Sequence, residues 1–299
     1  MSSYALPPTA PTDAHLQPIG DGLQEIVCTN SLATYRVLTQ GAQLLSWHPA
    51  GEDAVVWCSP HARFIPGKPP RGGTPICWPW FGPHANPDYP AHGLVRAREW
   101  TLERYARETD GTDTLHFSTT TLGTDSSPLW PYAARLDLTY RIGRSLGLTL
   151  ETTNLGETPI SITEAVHTYF GVGDVREIEV QGLSGSTYLD RLKADERIQQ
   201  SGSITISSET DRVYLATAAE CEIVDPHLKR TIHIRSEGAR SKVVWNPWIE
   251  KGAKLGDLGD SGYLEMVCVE SGNIADDAVS IAPGERRCLT ISYSTSPLG

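Results

Sequence analysis

Apolar and polar residues alternate with a period of two through most of this chain, and that pattern restricts its fold more than any other feature. Arg135-Leu-Asp-Leu-Thr-Tyr140, Leu146-Gly-Leu-Thr-Leu-Glu151 and Ile160-Ser-Ile-Thr163 each place apolar side chains on one face and polar ones on the other. Such runs suit half-buried β-strands. Similar short runs start near residues 25, 34, 43, 54, 178, 204, 213, 232, 242, 264 and 288. β-Branched and aromatic residues fill them, and Gly, Asn, Asp or Pro bound them. The 27 glycines and 21 prolines fit a chain that turns often. No long segment has the 3.6-residue period of a helix; the one short helical candidate is 194–200. The expectation is an all-β protein: a large antiparallel β-sandwich with sheets packed face to face.

The 39% hydrophobic content is enough for a sizeable core in 299 residues. Residues 1–20 are rich in Pro, Ala and Thr and are read as a flexible N-terminal extension, with one domain over 21–299. That extension lacks the basic and continuous apolar regions of a secretory signal. No run is long enough for a membrane span. A formal net charge of -11 argues against nucleic-acid and anionic-membrane partners. A small anionic substrate remains compatible, because charges are screened beyond about 8–10 Å. The six cysteines form no Cys-x-x-Cys pair, so neither a zinc site nor any other metal site is expected. Reduced thiols in a cytoplasmic protein are the simpler reading. Dinucleotide, P-loop, zinc-protease and nucleophile-elbow motifs are all missing from the sequence.

The densest chemical signal is Arg71-Gly-Gly-Thr-Pro-Ile-Cys-Trp-Pro-Trp-Phe-Gly82, followed by His92-Gly-Leu-Val-Arg96. Trp78, Trp80 and Phe81 have flat apolar faces of the kind that stack on sugar rings. Arg71 and Arg96 carry planar forks suited to carboxylate or phosphate. Taken singly, these are ordinary core aromatics and surface arginines; as a cluster they favour a binding site. Further signals lie at His167 in Thr163-Glu-Ala-Val-His-Thr-Tyr-Phe170, and at Asp211 and Asp190. Trp245 and Trp248 flank Asn246-Pro247, a pattern that also marks a strand end. Glu270 closes an apolar run, where partial desolvation would make it a better base. Each of these singly also fits a core or turn residue.

In this order, the segments Arg71–Pro75, Trp78–Gly82, His92–Arg96, His167–Phe170, Glu209–Asp211, Val244–Trp248 and Val269–Gly272 resemble the aldose 1-epimerase (mutarotase) superfamily, and within it the hexose-6-phosphate branch. The resemblance implies a galactose mutarotase-like supersandwich. It implies His167 as general acid and Glu270 as general base, set across the pocket from one another. It implies Arg71, His92, Arg96, Asp211 and Trp248 as substrate-binding residues. No cofactor and no metal are implied. The expected partner is a small phosphosugar, and a monomer is the expected state. Some family members carry Gln before the His-Gly, where this chain has Ala91. The implied reaction interconverts α and β anomers by ring opening and reclosure, which needs two proton-transfer groups and no nucleophile. The alternatives are a mutarotase of unphosphorylated hexoses and a non-catalytic sugar-binding module on the same fold.

Overall fold

The computed structural model describes residues 4–122, 130–218 and 220–298. Two eight-stranded antiparallel sheets carry the architecture, with a four-stranded sheet and a two-stranded ribbon beside them. The four-stranded sheet is a meander of Ala14–Ile19, Leu23–Thr29, Ala33–Leu38 and Gln43–Pro49. One large sheet holds, side by side, Thr187–Asp190, Thr210–Leu215, Ser241–Asn246, Met266–Asn273 and Glu164–Val166. The other is built around Ala133–Ile142, Leu146–Asn154, Arg286–Pro297 and Arg230–Glu237.

Alternation along these strands decides what meets what. Val166, Phe170, Val244, Val267 and Val269 of the first sheet join Leu148, Leu150, Ile232, Ile234, Ile291 and Tyr293 of the second in one core. Each such side chain, fully buried, contributes about 1.5–3 kcal/mol of apolar burial. Phe170 meets Tyr293 edge-on at 5.0 Å, and Thr168 Oγ1 shares a 2.7 Å hydrogen bond with the Tyr293 hydroxyl. Thr168 and Phe170 therefore point into the core, and His167 and Tyr169 point out of the sheet's opposite face.

Two sequence expectations need correction. The proposed extension over 1–20 is too long, because Ala14–Ile19 pairs along its whole length with Leu23–Thr29; residues 1–3 lie outside the described residues. The strand is at a sheet edge, where Pro18 removes no needed donor. The helical candidate at 194–200 is instead the strand Glu196–Gln199, since Ala194 and Asp195 take left-handed φ values of 50° and 63° that a helix cannot continue through. Among the described residues an α-helix lies instead at Trp248–Leu255, closed by Gly256 at φ 66°. No helix among the described residues is long and apolar enough to cross a membrane.

Candidate active site

The register of the first large sheet assembles the site. Val166 pairs with Ser271 and Tyr169 with Cys268 in one continuous antiparallel register, which sets His167 opposite Glu270. Cross-strand neighbours point to the same face, so the two side chains must meet. They do: His167 Nε2 is 3.3 Å from Glu270 Oε1. Glu270 pairs in turn with Val243, and Cys268 with Trp245, which pairs with Asp211. Residues two apart share a face. His167, Tyr169, Glu270, Val243, Trp245 and Asp211 thus form the floor of one cavity of about 350 Å³. The expectation that His167 and Glu270 lie across the pocket from each other is corrected by this register, which makes them touching neighbours.

Loops raise the walls. Pro69 to Arg71 and Pro75 line one side, and Phe81, Gly82 and Pro83 another. His92 enters on a left-handed residue, φ 63°, followed by Gly93 at φ 78°. Gly93 packs against the carbonyl of Trp78, whose oxygen accepts from Leu94 N–H at 2.8 Å. A methyl group at residue 93 would fall on that carbonyl. Gly93→Ala should therefore lower stability by roughly 1–3 kcal/mol, the usual range for forced backbone strain, and loosen ligand binding. Thermal denaturation and ligand titration of the variant check this.

Electrostatics divide the cavity. His167 and Glu270 are both buried, 8% and 1% exposed. Burial pushes the Glu270 carboxyl well above its usual range, with the nearby Asp211 charge adding to it. Burial likewise pulls His167 well below the usual imidazole range, and the positive charges of Arg96 and Arg71 act the same way. Both effects disfavour the ion pair and favour a neutral pair sharing one proton. One atom on each partner, His167 Nδ1 and Glu270 Oε2, is buried with no hydrogen-bond partner among the described residues. Buried polar atoms are ordinarily paired, so these two are available to a ligand.

His92 accepts from the Gly82 N–H at Nδ1, 3.3 Å, so its proton sits on Nε2. Burial, then the charges of Arg96, Arg191 and Arg71, pull its pKa down to about 3. It is a fixed neutral donor. Asp211 is raised by burial, against the lowering effect of Lys251 3.8 Å away.

Four cations line the cavity: Arg71, Arg96, Arg191 and Lys251. Arg71 is held by Asp257 at 3.0 Å, Arg191 by Asp195 at 2.8 Å and Lys251 by Glu209 at 2.9 Å. Arg96 donates to the Ala91 carbonyl at 2.7 Å and forms no ion pair among the described residues, its charge acting on Glu270 at longer range. Arg71, His92, Arg96, His167, Asp211 and Glu270 are thus brought together. Trp248 is not. It sits at φ 55° beyond Asn246-Pro247, packs on Tyr263 at 5.5 Å and faces a separate groove. Trp245 occupies the cavity in its place. Trp78 is buried in the core and Trp80 is tied to the Pro90 carbonyl, so Phe81 alone of the three loop aromatics lines the cavity. Asp190 caps the short turn after its strand by accepting from Leu192 N–H at 3.1 Å.

Sequence reasoning missed Tyr169, Arg191 and Lys251. Tyr169 was readable as the residue two after His167, on the same face of a strand. Arg191 and Lys251 had no local signal, since pairing of distant strands and the unforeseen helix bring them in.

Residues 24–294 match the family model described as aldose 1-epimerase. A protein of Escherichia coli K12 is 38% identical over 84% of this chain and 83% of its own length. One from Cenchrus ciliaris is 33% identical over 95% of this chain and 88% of its own. Both carry the provisional name glucose-6-phosphate 1-epimerase. A crystal structure from Salmonella typhimurium, provisionally named a mutarotase, superposes with a TM-score of 0.89 at 31% identity, covering 98% of this chain and 97% of that one. The shared fold is the galactose mutarotase-like supersandwich that the resemblance implied.

Proposed function

The chain belongs to the aldose 1-epimerase family, and on that premise we propose that it interconverts the α and β anomers of a hexose 6-phosphate, glucose 6-phosphate first among them. The observation that carries the reading is the buried His167–Glu270 pair, touching at 3.3 Å beside a group of cations in one cavity. A mutarotase for unphosphorylated hexoses would have no use for four cations there, and a binding module none for a desolvated acid/base pair. The names of the relatives support the phosphosugar. Six unpaired cysteines support a cytoplasmic setting.

One shared proton serves the whole cycle. With the proton on His167, Glu270 is a carboxylate. Glu270 takes the proton of the anomeric hydroxyl as His167 gives one to the ring oxygen, the C1–O5 bond breaks, and an open-chain aldehyde forms. The pair is now neutral His167 and protonated Glu270, the form that burial favours. Rotation about C1–C2 turns the other carbonyl face toward the C5 hydroxyl. Reclosure returns the hydroxyl proton to His167 and the Glu270 proton to the carbonyl oxygen. Burial thus brings the two halves of the cycle closer in energy. Asp211 accepts from sugar hydroxyls and His92 Nε2–H donates to one, in this reading.

The pH dependence of kcat tests it, because kcat reports the groups in the loaded enzyme. The active enzyme holds one proton on the pair. Adding a second requires protonating His167, whose pKa is lowered, so the acid limb should lie below the usual imidazole range. Removing the last proton requires ionising Glu270, whose pKa is raised, so the alkaline limb should lie above the usual carboxylate range. NMR exchange spectroscopy on glucose 6-phosphate should show catalysis with a plateau between these limbs. A profile set by one group titrating near 4.3, the ordinary Glu value, would defeat the shared-proton mechanism.

A further inference from the structure

We infer that Tyr169 is a positioning residue that ties the anion-binding Arg71 to the proton-transferring His167; this rests on the function proposed above. The His167 imidazole lacks the support such rings usually have. Its Nδ1 has no hydrogen-bond partner among the described residues, and its Nε2 faces Glu270. Beyond that one contact, ring packing sets its plane. Tyr169 lies nearly parallel to it, 12° between planes and 5.0 Å between centroids, and Trp245 closes edge-on at 6.0 Å.

The other end of Tyr169 meets Arg71. Arg71 Nη1 donates to the Tyr169 hydroxyl at 3.2 Å, and Nε donates to Asp257 at 3.0 Å. Two of the three nitrogens of the fork are so fixed. Nη2 has no partner among the described residues and is the edge left for an oxyanion. Tyr169 itself cannot drift. Its N–H donates to the Gly73 carbonyl and its carbonyl accepts from Trp57 N–H, both at 2.9 Å, so its backbone is pinned to the loop that carries Arg71. Trp57 backs the ring at 6.2 Å.

One rigid phenol therefore spaces the anion grip from the imidazole. A sugar held at Arg71 by its phosphate would present its anomeric end at a fixed height over His167. A sugar without that anchor would not be registered this way. Tyr169 acts through its two neighbours, and its two ends are separable by substitution.

Tyr169→Phe keeps the stack and cuts the link to Arg71. It should raise KM for glucose 6-phosphate on the order of tenfold, the loss expected for one hydrogen bond to a charged group, with a smaller fall in kcat. Tyr169→Leu removes the stack as well. It should lower kcat by a further tenfold or so on either sugar and displace the acid limb of its pH profile. The link itself is read by a double-mutant cycle. In an Arg71→Ala background, Tyr169→Phe should cost less than twofold. Equal costs in both backgrounds would overturn the proposal. A second measurement needs no turnover. Inorganic phosphate should move the His167 ring ¹⁵N signals of the wild-type protein, and move them less in Tyr169→Phe. Equal shifts would refute the link through Tyr169, whereas absence of anomer exchange in the wild-type protein would refute the proposed activity and leave this shift to decide the link.

Discussion

Glu270→Gln should fold like the parent and exchange anomers about 10²–10⁴-fold more slowly, the usual contribution of a positioned proton-transfer group. Glutamine keeps the volume of glutamate and can still hydrogen-bond His167, but it cannot accept the anomeric proton. The fold has no need of the carboxylate charge at this position. Glu270 lies in a strand whose eight residues are all buried, and its carboxyl is held protonated well above its usual range. A neutral amide resembles that protonated acid. Linkage gives the sign of the stability change. A carboxyl whose folded pKa is raised stabilises the protein below its unfolded pKa, and that contribution is lost as pH climbs toward the folded value. The variant has no such loss. Its melting temperature should therefore match or exceed the parent's at neutral pH, with the gap opening upward from about pH 4. Near wild-type exchange in this variant would remove Glu270 from the mechanism.

The pairing of gained stability with lost rate also separates catalysis from architecture. A residue that only supported the sheet would lose both on substitution. His167→Asn should behave like Glu270→Gln in rate, since it too removes one end of the shared proton's path.

The sequence exposes the sheets of this protein more readily than its site. Alternation at period two is a local property, so strands such as Leu146–Asn154 declare themselves. The pairing that sets His167 against Glu270 joins residues more than a hundred positions apart, and no local pattern encodes it. Their roles as a pair follow from the resemblance, and the residues alone hint only at Glu270 as a desolvated base. The choice between Trp245 and Trp248 was nevertheless readable. Trp245 is two residues from Val243 on one strand, and so shares the face that Val243 presents beside Glu270. Pro247 ends that strand, and Trp248 starts a helix on a left-handed residue that carries it away. Arg191 and Lys251 were hidden for a different reason. Surface arginines and lysines are common, and each of these is paired with a nearby carboxylate. Nothing in sequence distinguishes them until the floor of the cavity is built.

Arg96→Ala and Arg71→Ala should each lower kcat/KM for glucose 6-phosphate on the order of ten- to a hundredfold, with much smaller losses on free glucose. The two losses have different origins. Arg96 forms no ion pair with a carboxylate among the described residues, so its charge is open to an incoming anion. Arg71 is already half-neutralised by Asp257 at 3.0 Å. Removing it leaves the Asp257 carboxylate unpaired near the path of a phosphate, which adds repulsion to the lost attraction. Asp257→Asn in the Arg71→Ala background should therefore recover part of the loss, and the same change in the Arg96→Ala background should not. Arg71→Lys should rescue poorly. An ammonium keeps the charge, but it cannot donate to Asp257 and Tyr169 while also presenting a free edge, as the planar fork does. Added salt should weaken capture of the phosphosugar more than that of glucose, because only the former is drawn in by charge. Equal losses on both sugars in the two arginine variants would mean that these side chains hold the loops rather than the phosphate, and the mutarotase of free hexoses would then be the better reading of the cavity.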